Sequence, residues 1–249
     1  MTPPRIAIIG TGRMGHAVRA LAEAQRWTVV AQLGRAETER DESLLAAMRE
    51  ADVAIEFTTA AEAPSLLERM AGADCPIVSG TTGWLQQRER VERAVHERGG
   101  ALLWAPNFAL GVHVLWRAAA HAARMFSGLP GFSAHIVETH HAAKQDAPSG
   151  TAIELQHRVQ EAWRTAVPVT SVRVGHVPGT HSLVVDGTFE QLRLTHEARD
   201  RLVFADGALT AAAWLAERWR EGRRGVLGMD DLLDDALARA SSGAATRPT

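Results

Sequence analysis

The sequence has few of the residues on which several protein classes depend. Its 249 residues include no tyrosine, one cysteine (Cys75) and, among 27 lysines and arginines, a single lysine, Lys144. Without tyrosine, the Tyr-Lys class of short-chain dehydrogenases is excluded. One cysteine excludes an internal disulfide framework and argues against a cysteine-based metal site.

Strong charge and long apolar runs are also missing. The formal net charge is −2 at pH 7, so no basic excess attracts nucleic acid or an anionic membrane. The longest stretch without formal charge, Gly99–Trp116, contains Pro106 and Asn107 and is unlike a membrane span. The N-terminus does not resemble a signal peptide. We therefore expect a cytoplasmic protein with no nucleic-acid or membrane partner.

Short apolar runs alternate with helical patterns over the first hundred residues. This alternation is typical of βαβ units and a parallel sheet, and fully apolar strands fit a sheet covered on both faces. The fold class predicted here is α/β, with a Rossmann-type sheet. The predicted strands are Arg5–Ile9, Thr28–Leu33, Asp52–Phe57, Pro76–Ser79 and Ala101–Trp104; the predicted helices are Met14–Gln25, Ala61–Met70 and Leu85–Arg98.

The pattern changes near residue 108. An Asp186-Gly187 pair predicts a hairpin between the last two strands, and the second half is predicted to be α+β with a mostly antiparallel sheet. We therefore predict one domain at 1–108 and another at 109–217. The predicted helices are Leu110–Phe126, Thr151–Trp163, Gly207–Arg220 and Met229–Ala240; the predicted strands are Ala134–Thr139, Val169–Val174, His181–Val185 and Phe189–Thr195.

A glycine-rich loop follows the first strand and opens a helix. The glycines allow close approach of a pyrophosphate, and the helix N-terminus supplies N–H donors and partial positive charge. A chance glycine-rich turn is the alternative, but the strand–turn–helix context favours dinucleotide binding. The G-x-G-x-x-G motif consists of Gly10, Thr11, Gly12, Arg13, Met14 and Gly15.

The end of the second strand bears on which dinucleotide binds. A carboxylate there would bind the ribose 2′-OH of NAD, but the sequence reads Gly34-Arg35. An arginine suits a 2′-phosphate, so we predict NADPH as the preferred cofactor, with NADH as an alternative. Arg35 could equally be a solvated surface residue, and Glu37 and Glu39 lie near enough to serve NAD.

Polar residues are concentrated between Glu138 and Ala152. A histidine there can donate a proton near pH 7, and adjacent histidines on an extended segment point in opposite directions. Lys144 can neutralise a substrate carboxylate or act as an acid. The run Ser149-Gly150-Thr151 before a helix is typical of an anion site. His140, His141 and Asp146 lack the usual metal-ligand spacing, so we predict no metal.

These residues resemble the dihydrodipicolinate reductase (4-hydroxy-tetrahydrodipicolinate reductase) family of bacterial lysine and diaminopimelate synthesis. The most specific part is E-x-H-H-x-x-K-x-D-A-P-S-G-T at Glu138–Thr151. Supporting motifs are G-R-M-G at Gly12–Gly15, G-T-T-G at Gly80–Gly83 and A-P-N-F at Ala105–Phe108. The resemblance covers nearly the whole chain.

The resemblance implies an NAD(P)H-dependent reductase acting on a cyclic dicarboxylate. Cationic His140 would donate the proton, with Lys144 as its partner. The implied substrate-binding residues are His141, Ser149, Gly150 and Thr151. The implied cofactor-binding residues are the glycine-loop residues, Arg35, Phe57, Gly80, Thr81, Thr82, Ala105, Pro106, Asn107 and Phe108.

The resemblance also implies organisation beyond the site. The family is typically homotetrameric, and its last helices return to the nucleotide domain, so 218–249 is predicted to complete domain 1–108. Three departures stand out: Ala109 replaces a frequent serine, Glu56 replaces the aspartate of D-F-T, and Gly34 occupies the position of a frequent acid.

Two other functions stay open on the residues alone. One is another NAD(P) dehydrogenase of an amino-acid pathway; the other is a non-catalytic NADP(H)-binding sensor on the same fold. The first has no need of the D-A-P-S-G-T segment beside two histidines and a lysine. The second has no use for a proton donor such as His140.

Overall fold

A computed structural model describes residues 3–163 and 165–244. The strands are β1 Ile6–Ile9, β2 Val29–Leu33, β3 Val53–Glu56, β4 Ile77–Ser79, β5 Ala101–Trp104, β6 Ser133–His140, β7 Val169–Arg173, β8 Gly179–Asp186, β9 Gln191–Ala198 and β10 Gly225–Leu227. The helices are α1 Arg13–Ala24, α2 Arg35–Thr38, α3 Asp41–Glu50, α4 Ala63–Met70, α5 Arg88–Glu97, α6 Leu110–Phe126, α7 Gly150–Trp163, α8 Leu202–Arg220 and α9 Met229–Ala244.

The chain forms two compact units. Unit 1 comprises residues 1–108 and 204–249, and unit 2 comprises 109–203. The boundary at 203/204 lies inside α8, whereas the sequence-based boundary was 217/218. Residues 245–249, part of the segment predicted to complete the first domain, lie outside the described residues. None of the helices in the described part of the chain is long and apolar enough to cross a membrane.

Unit 1 contains a six-stranded parallel sheet. Its strand order is β10-β5-β4-β3-β1-β2, the Rossmann-type α/β arrangement that the sequence predicted. The central strands β1 and β3 are buried along their whole length, because helices cover both faces. Helix α1 buries Gly15, Val18 and Ala22, the spacing of one helical face. Each fully buried Val, Leu or Ile side chain contributes about 1.5–3 kcal/mol.

Unit 2 contains a four-stranded sheet in the order β7-β6-β8-β9. Strands β6 and β7 are parallel, while β6–β8 and β8–β9 are antiparallel, so the predicted, mostly antiparallel sheet is confirmed. Buried and half-buried residues alternate along β6, as expected for a strand with one covered face. Its buried positions include Glu138 and His140.

The differences from the sequence-based elements are local. Helices α2 and α3 and strand β10 were not predicted; α2 and β10 are only 4 and 3 residues long. The hairpin after β8 has a longer loop closed by Gly187 N–H to Glu190 O at 2.9 Å, and Phe189 is in that loop rather than in β9. Helix α8 begins earlier because the Asp200 carboxylate accepts the Leu202 N–H at 2.7 Å, which caps its N-terminus.

Candidate active site

The glycine loop of unit 1 is shaped by close backbone approaches. At Gly10, with φ of 122°, a Cβ atom would lie 2.1 Å from the Phe57 carbonyl oxygen. At Gly15 it would lie 2.1 Å from the Gly10 oxygen, whereas a Cβ at Gly12 would meet nothing within 4 Å. Within the described residues of α1, no side chain caps the N-terminus and the first turn has no acid. This open, positive helix end fits a dinucleotide pyrophosphate.

A cavity of about 480 Å³ adjoins this loop. Of the predicted cofactor residues, Gly10, Thr11, Gly12, Arg35 and Phe57 line it. The remaining predicted ones do not, and Gly15 is buried. Gly34, Glu39, Thr58 and Thr59, which were considered from the sequence, also line it. The lining residues that the sequence did not suggest are Thr38, Ala61, Glu62, Ser65, Leu66 and Arg69.

Arg35 has an acidic partner in the cavity. Its Nε lies 2.5 Å from Glu62 Oε1, and its side chain is 69% exposed. Glu37, considered as a ribose ligand, instead accepts the Gly34 N–H at 3.0 Å. The positive charge of Arg35 is therefore paired within the protein, through a residue 27 positions away that the sequence did not suggest.

A fully buried carboxylate, Glu56, connects the loops that follow β3 and β4. It accepts hydrogen bonds from Ser79 Oγ at 2.5 Å, Thr81 Oγ1 at 2.6 Å, and Thr58 N–H and Oγ1 at 2.7 and 2.5 Å. Thr81 is therefore turned inward, whereas Thr82 is exposed. The indoles of Trp84 and Trp104 both donate to the Thr81 carbonyl, at 2.8 and 2.9 Å.

The aromatic rings of Phe57 and Phe108 lie beside these loops. Their centroids are 6.0 Å apart in an edge-to-face arrangement. A Cβ at Gly80 would lie 2.0 Å from the Phe57 ring, and one at Gly207 would lie 1.7 Å from the Phe108 carbonyl oxygen. Both glycines are thus needed for close packing. In the predicted segment Ala105–Phe108, the two end residues are buried and Pro106 is exposed.

Glu138 is the centre of the polar cluster in unit 2. It is fully buried and its Oε1 accepts from Ser171 Oγ at 2.7 Å, Arg173 Nη2 at 2.8 Å and the Ser149 N–H at 3.0 Å. Its Oε2 accepts from Ser149 Oγ. The sheet register explains the cluster, because Ser171 on β7 and His181 on β8 are both opposite Glu138.

Two histidines face the second oxygen of Glu138. His140 Nδ1 lies 3.2 Å from Oε2, and His181 Nε2 lies 3.7 Å from it. Their rings meet edge to face with centroids 5.0 Å apart. His140 is 6% and His181 4% exposed. His181, 41 residues after His140, was assigned no role by the sequence analysis.

Burial controls the ionisation of this cluster. Burial alone would raise the pKa of Glu138, but hydrogen bonds from Ser149, Ser171 and Arg173 outweigh it and lower the pKa to about 2. Burial, followed by neighbouring His140, lowers the pKa of His181 to about 4. Burial also lowers the pKa of His140 from 6.5, despite the opposing charge of Glu138. Burial therefore disfavours the cationic form of His140 that the sequence analysis expected.

Lys144 is held by the aspartate of its own motif. Its Nζ donates to both carboxylate oxygens of Asp146, at 2.7 and 2.9 Å, and this bond lowers the pKa of Asp146. The Asp146 carbonyl in turn accepts from Arg173. An anionic ligand of Lys144 would therefore compete with, or join, this carboxylate.

The predicted anion site lies at the start of α7. Ser149 is 2% exposed; its N–H and hydroxyl both donate to Glu138, and its Oγ accepts the Ala152 N–H at 3.2 Å. The polar atoms of Ser149 are thus engaged inside the protein. Gly150 and Thr151 form the first turn of the helix, whose N-terminus favours an anion.

His141 lines a second cavity, of about 550 Å³. Its Nε2 lies 2.7 Å from Arg201 Nη2. Arg199, Arg201 and His176 also line this cavity, so it is rich in basic groups. The surroundings of the two adjacent histidines differ: His140 is buried at the end of β6, whereas His141 is half-buried in the following loop. Arg201 is a candidate carboxylate ligand that the sequence analysis did not identify.

One group of potential metal ligands occurs in the described part of the chain. Ligand atoms of Glu138, His140 and His181 lie within 4.8 Å of one another. The metal hypothesis weighed from the sequence shares only His140 with this group, because its other two residues were His141 and Asp146. Glu138 already has a cationic partner, because Arg173 lies 2.8 Å from it.

The parallel sheet and the glycine-rich loop define a dinucleotide-binding protein with a Rossmann-type domain. Family models described as dihydrodipicolinate reductase, N-terminus and C-terminus, match residues 4–108 and 111–233. The chain therefore belongs to the dihydrodipicolinate reductase family.

Individual relatives agree with this assignment. A 4-hydroxy-tetrahydrodipicolinate reductase of Christiangramia forsetii is 32% identical, covering 92% of this chain and 98% of the relative. One of Xanthomonas euvesicatoria is 39% identical, covering 82% and 88%. The fold is similar to that of dipicolinate-bound dihydrodipicolinate reductase from Paenisporosarcina sp. TG-14, with a TM-score of 0.73, 20% identity, and coverage of 91% and 98%.

Proposed function

We propose that the chain reduces 4-hydroxy-tetrahydrodipicolinate to tetrahydrodipicolinate in lysine and diaminopimelate synthesis, with NADPH preferred over NADH. The observation that carries this proposal is the cluster in unit 2, where His140, Lys144 and the N-terminus of α7 share one motif. Relatives of the chain carry the name of this activity at 32% and 39% identity.

Each group has a chemical part in this proposal. The reduced nicotinamide supplies a hydride when bound. Gly150 and Thr151 at the N-terminus of α7, with Lys144 and His141, bind the substrate carboxylates and orient the ring. The 4-hydroxyl group of the substrate leaves as water, and His140 delivers the one proton that accompanies the hydride. A dianionic substrate beside His140 raises the pKa of the imidazole, so that the protonated form is populated when the substrate is bound.

The cofactor preference rests on Arg35. Its guanidinium borders the nucleotide cavity and suits a 2′-phosphate, while Gly34 supplies no carboxylate for the ribose 2′-OH. Because Glu62 already pairs with Arg35, a 2′-phosphate gains less binding free energy from this arginine than it would from an unpaired one. We therefore propose a moderate NADPH preference with NADH accepted. We further propose cytoplasmic action as a homotetramer, in which unit 1 binds the cofactor and unit 2 binds the substrate.

The test measures the oxidation of NADPH and of NADH through the loss of absorbance of the reduced nicotinamide. Substrate is generated in the cuvette from pyruvate and aspartate semialdehyde by the preceding synthase. Oxidation that depends on the synthase supports the reductase, and the ratio of the two rates measures the preference. A protein that binds NADPH but oxidises neither cofactor would contradict the proposal.

A thermal-shift measurement separates the reductase from a nucleotide sensor. Pyridine-2,6-dicarboxylate resembles a planar form of the proposed substrate. A reductase is stabilised by both NADPH and this dicarboxylate. A sensor responds to the nucleotide alone.

A further inference from the structure

Glu138 has no assigned role, although it has more buried polar contacts than any proposed catalytic residue described above. Its side chain is fully buried, and Ser149, Ser171 and Arg173 fill the acceptor positions of Oε1 and one position of Oε2. The acceptor position of Oε2 that Ser149 does not fill faces His140 and His181. A buried carboxylate aimed at a proposed proton donor calls for an explanation beyond stability.

The hydroxyl of Ser149 determines the proton position on His181. Its single proton is donated to Glu138 Oε2, and its Oγ accepts from the Ala152 N–H at 3.2 Å. The remaining contact, with His181 Nε2 at 3.2 Å, must therefore be donated by the histidine. His181 carries its proton on Nε2, and its Nδ1 is unprotonated while it is neutral.

The position of Glu138 favours the opposite tautomer on His140, with the proton on Nδ1. Its Nδ1 lies 3.2 Å from Glu138 Oε2 but makes no hydrogen bond, so the contact is electrostatic. A lone pair on Nδ1 would face a carboxylate and be repelled, whereas an N–H would be attracted. The other ring nitrogen, Nε2, lies 3.1 Å from the point where a Cβ of Gly179 would be. Glycine at 179 thus leaves Nε2 room that a side chain would fill.

We propose that Glu138 is a positioning residue that orients the His140 ring and keeps a proton on Nδ1, so that Nε2 is the nitrogen that exchanges a proton with substrate. This inference rests on the proposed function in assigning His140 the proton transfer. Glu138 acts through His140 and does not touch the substrate. His181, fixed as a neutral donor by Ser149, packs edge to face on the His140 ring and limits its rotation.

The charges around His140 come from several elements. Glu138 on β6 and Asp146 in the following loop favour the protonated imidazole, whereas Lys144 in that loop and Arg173 on β7 disfavour it. His181 on β8 is neutral, and His196 acts on His181. Without the charge of Glu138, the charged groups facing His140 would be the cations Lys144 and Arg173 and the exposed carboxylate of Asp146. The pKa of His140 would therefore fall further.

The first test uses the unaltered full-length protein. Long-range proton–nitrogen spectra of protein labelled with ¹⁵N at its histidine rings distinguish the two neutral tautomers. The His140 and His181 signals are assigned by their loss in His140→Gln and His181→Gln. The proposal expects opposite tautomers: Nδ1–H on His140 and Nε2–H on His181. A neutral His140 with its proton on Nε2 would overturn the proposal, whether or not any Glu138 variant folds.

The second test is Glu138→Gln, which keeps the shape of the side chain and removes its charge. We expect a downward shift of the His140 titration and a kcat at least about tenfold lower, with KM and NADPH affinity within about twofold of the wild type. The matched control is Glu56→Gln, which alters a buried glutamate of unit 1 and leaves the His140 titration unchanged. An unchanged titration in Glu138→Gln would overturn the proposal.

The two proposals fail in different ways. The tautomers and the titration of His140 are measured without substrate, so they test the role of Glu138 directly. If both follow expectation and the wild type still fails to reduce the proposed substrate, the proposed function is wrong and the positioning of His140 stands. If turnover occurs and the tautomers are reversed, the reductase stands and the role of Glu138 is wrong.

Discussion

In the part of the chain that the structure describes, each unit has one fully buried glutamate that accepts four hydrogen bonds, and the two glutamates differ in their partners. The donors to Glu56 are two threonines and a serine, all neutral. Glu138 accepts hydrogen bonds from two serines and from the Arg173 guanidinium, and it faces two imidazoles. The comparison teaches that burial and hydrogen-bond count do not determine a role. Glu56 connects two backbone loops, whereas Glu138 controls the charge and orientation of other side chains.

The largest effect is expected on turnover, at Lys144, which lies in the same unit as Glu138. It would sharpen the contrast between the two units. Lys144→Ala removes the ammonium that we propose stabilises the substrate and the developing charge. We expect kcat to fall by about 10²–10⁴-fold, with unchanged NADPH affinity measured by fluorescence titration. Asp146→Asn, which removes the partner of Lys144, is the informative companion, because it retains the ammonium. Wild-type turnover in Lys144→Ala would show that the ammonium has no part in the reaction.

A comparable loss, this time of stability, is expected in unit 1. Glu56→Ala leaves several buried donors without an acceptor, at about 1–3 kcal/mol for each unsatisfied group. We therefore expect a loss of several kcal/mol in the free energy of unfolding, measured by urea denaturation, with weaker NADPH binding. Glu56→Gln should lose less, since one amide oxygen remains. If Glu56→Ala unfolded at the wild-type urea concentration, the loops would not depend on this carboxylate.

Acid should act on the Glu138 cluster in two stages. The pKa of His181 is lowered from 6.5 to about 4 and that of Glu138 from 4.5 to about 2, so the unfolded chain binds more protons in both ranges. Stability therefore falls as pH decreases from 6.5 to 4 and again from 4.5 towards 2. Unfolding free energies across this range measure both stages. His181→Gln should flatten the first stage, whereas the control His157→Gln, on the exposed face of α7, should leave it intact.

The smallest effect is expected at the ion pair beside the glycine loop. Glu62→Gln frees the Arg35 guanidinium from its partner and should strengthen NADPH binding over NADH binding by about twofold to fivefold, because an exposed charge pair is worth at most about 1 kcal/mol. Calorimetric titration with both cofactors measures the ratio, and Arg35→Ala should reverse the change. A ratio unaffected in both variants would remove Arg35 from cofactor selection.

Local patterns were sufficient to predict the fold class and most elements. Alternation of strands and helices predicted the parallel sheet, and helix α6 has the predicted bounds, Leu110–Phe126. The glycine loop was predicted because strand, turn and helix follow one another directly in the chain. Helix α3 was missed, although Leu44, Ala47 and Met48 form a buried face with helical spacing.

The partners of the site could not be predicted, because they depend on sheet register. Ser171, Arg173 and His181 join Glu138 from neighbouring strands, 33 to 43 residues further along the chain. Arg201 meets His141 across 60 positions. One signal was available: two-residue periodicity in β6 places Glu138 and His140 on the same face. The sequence analysis used Glu138 only as the first letter of a motif.

The most direct test of the account is the turnover of His140→Ala beside the wild type, with synthase-generated substrate and NADPH, together with the NADPH affinity of both proteins. The account predicts oxidation by the wild type that depends on the synthase. In the variant it predicts a kcat lower by about 10²–10⁴-fold with the cofactor bound as tightly as before. Undiminished turnover in His140→Ala, or none in a wild type that binds NADPH, would contradict it.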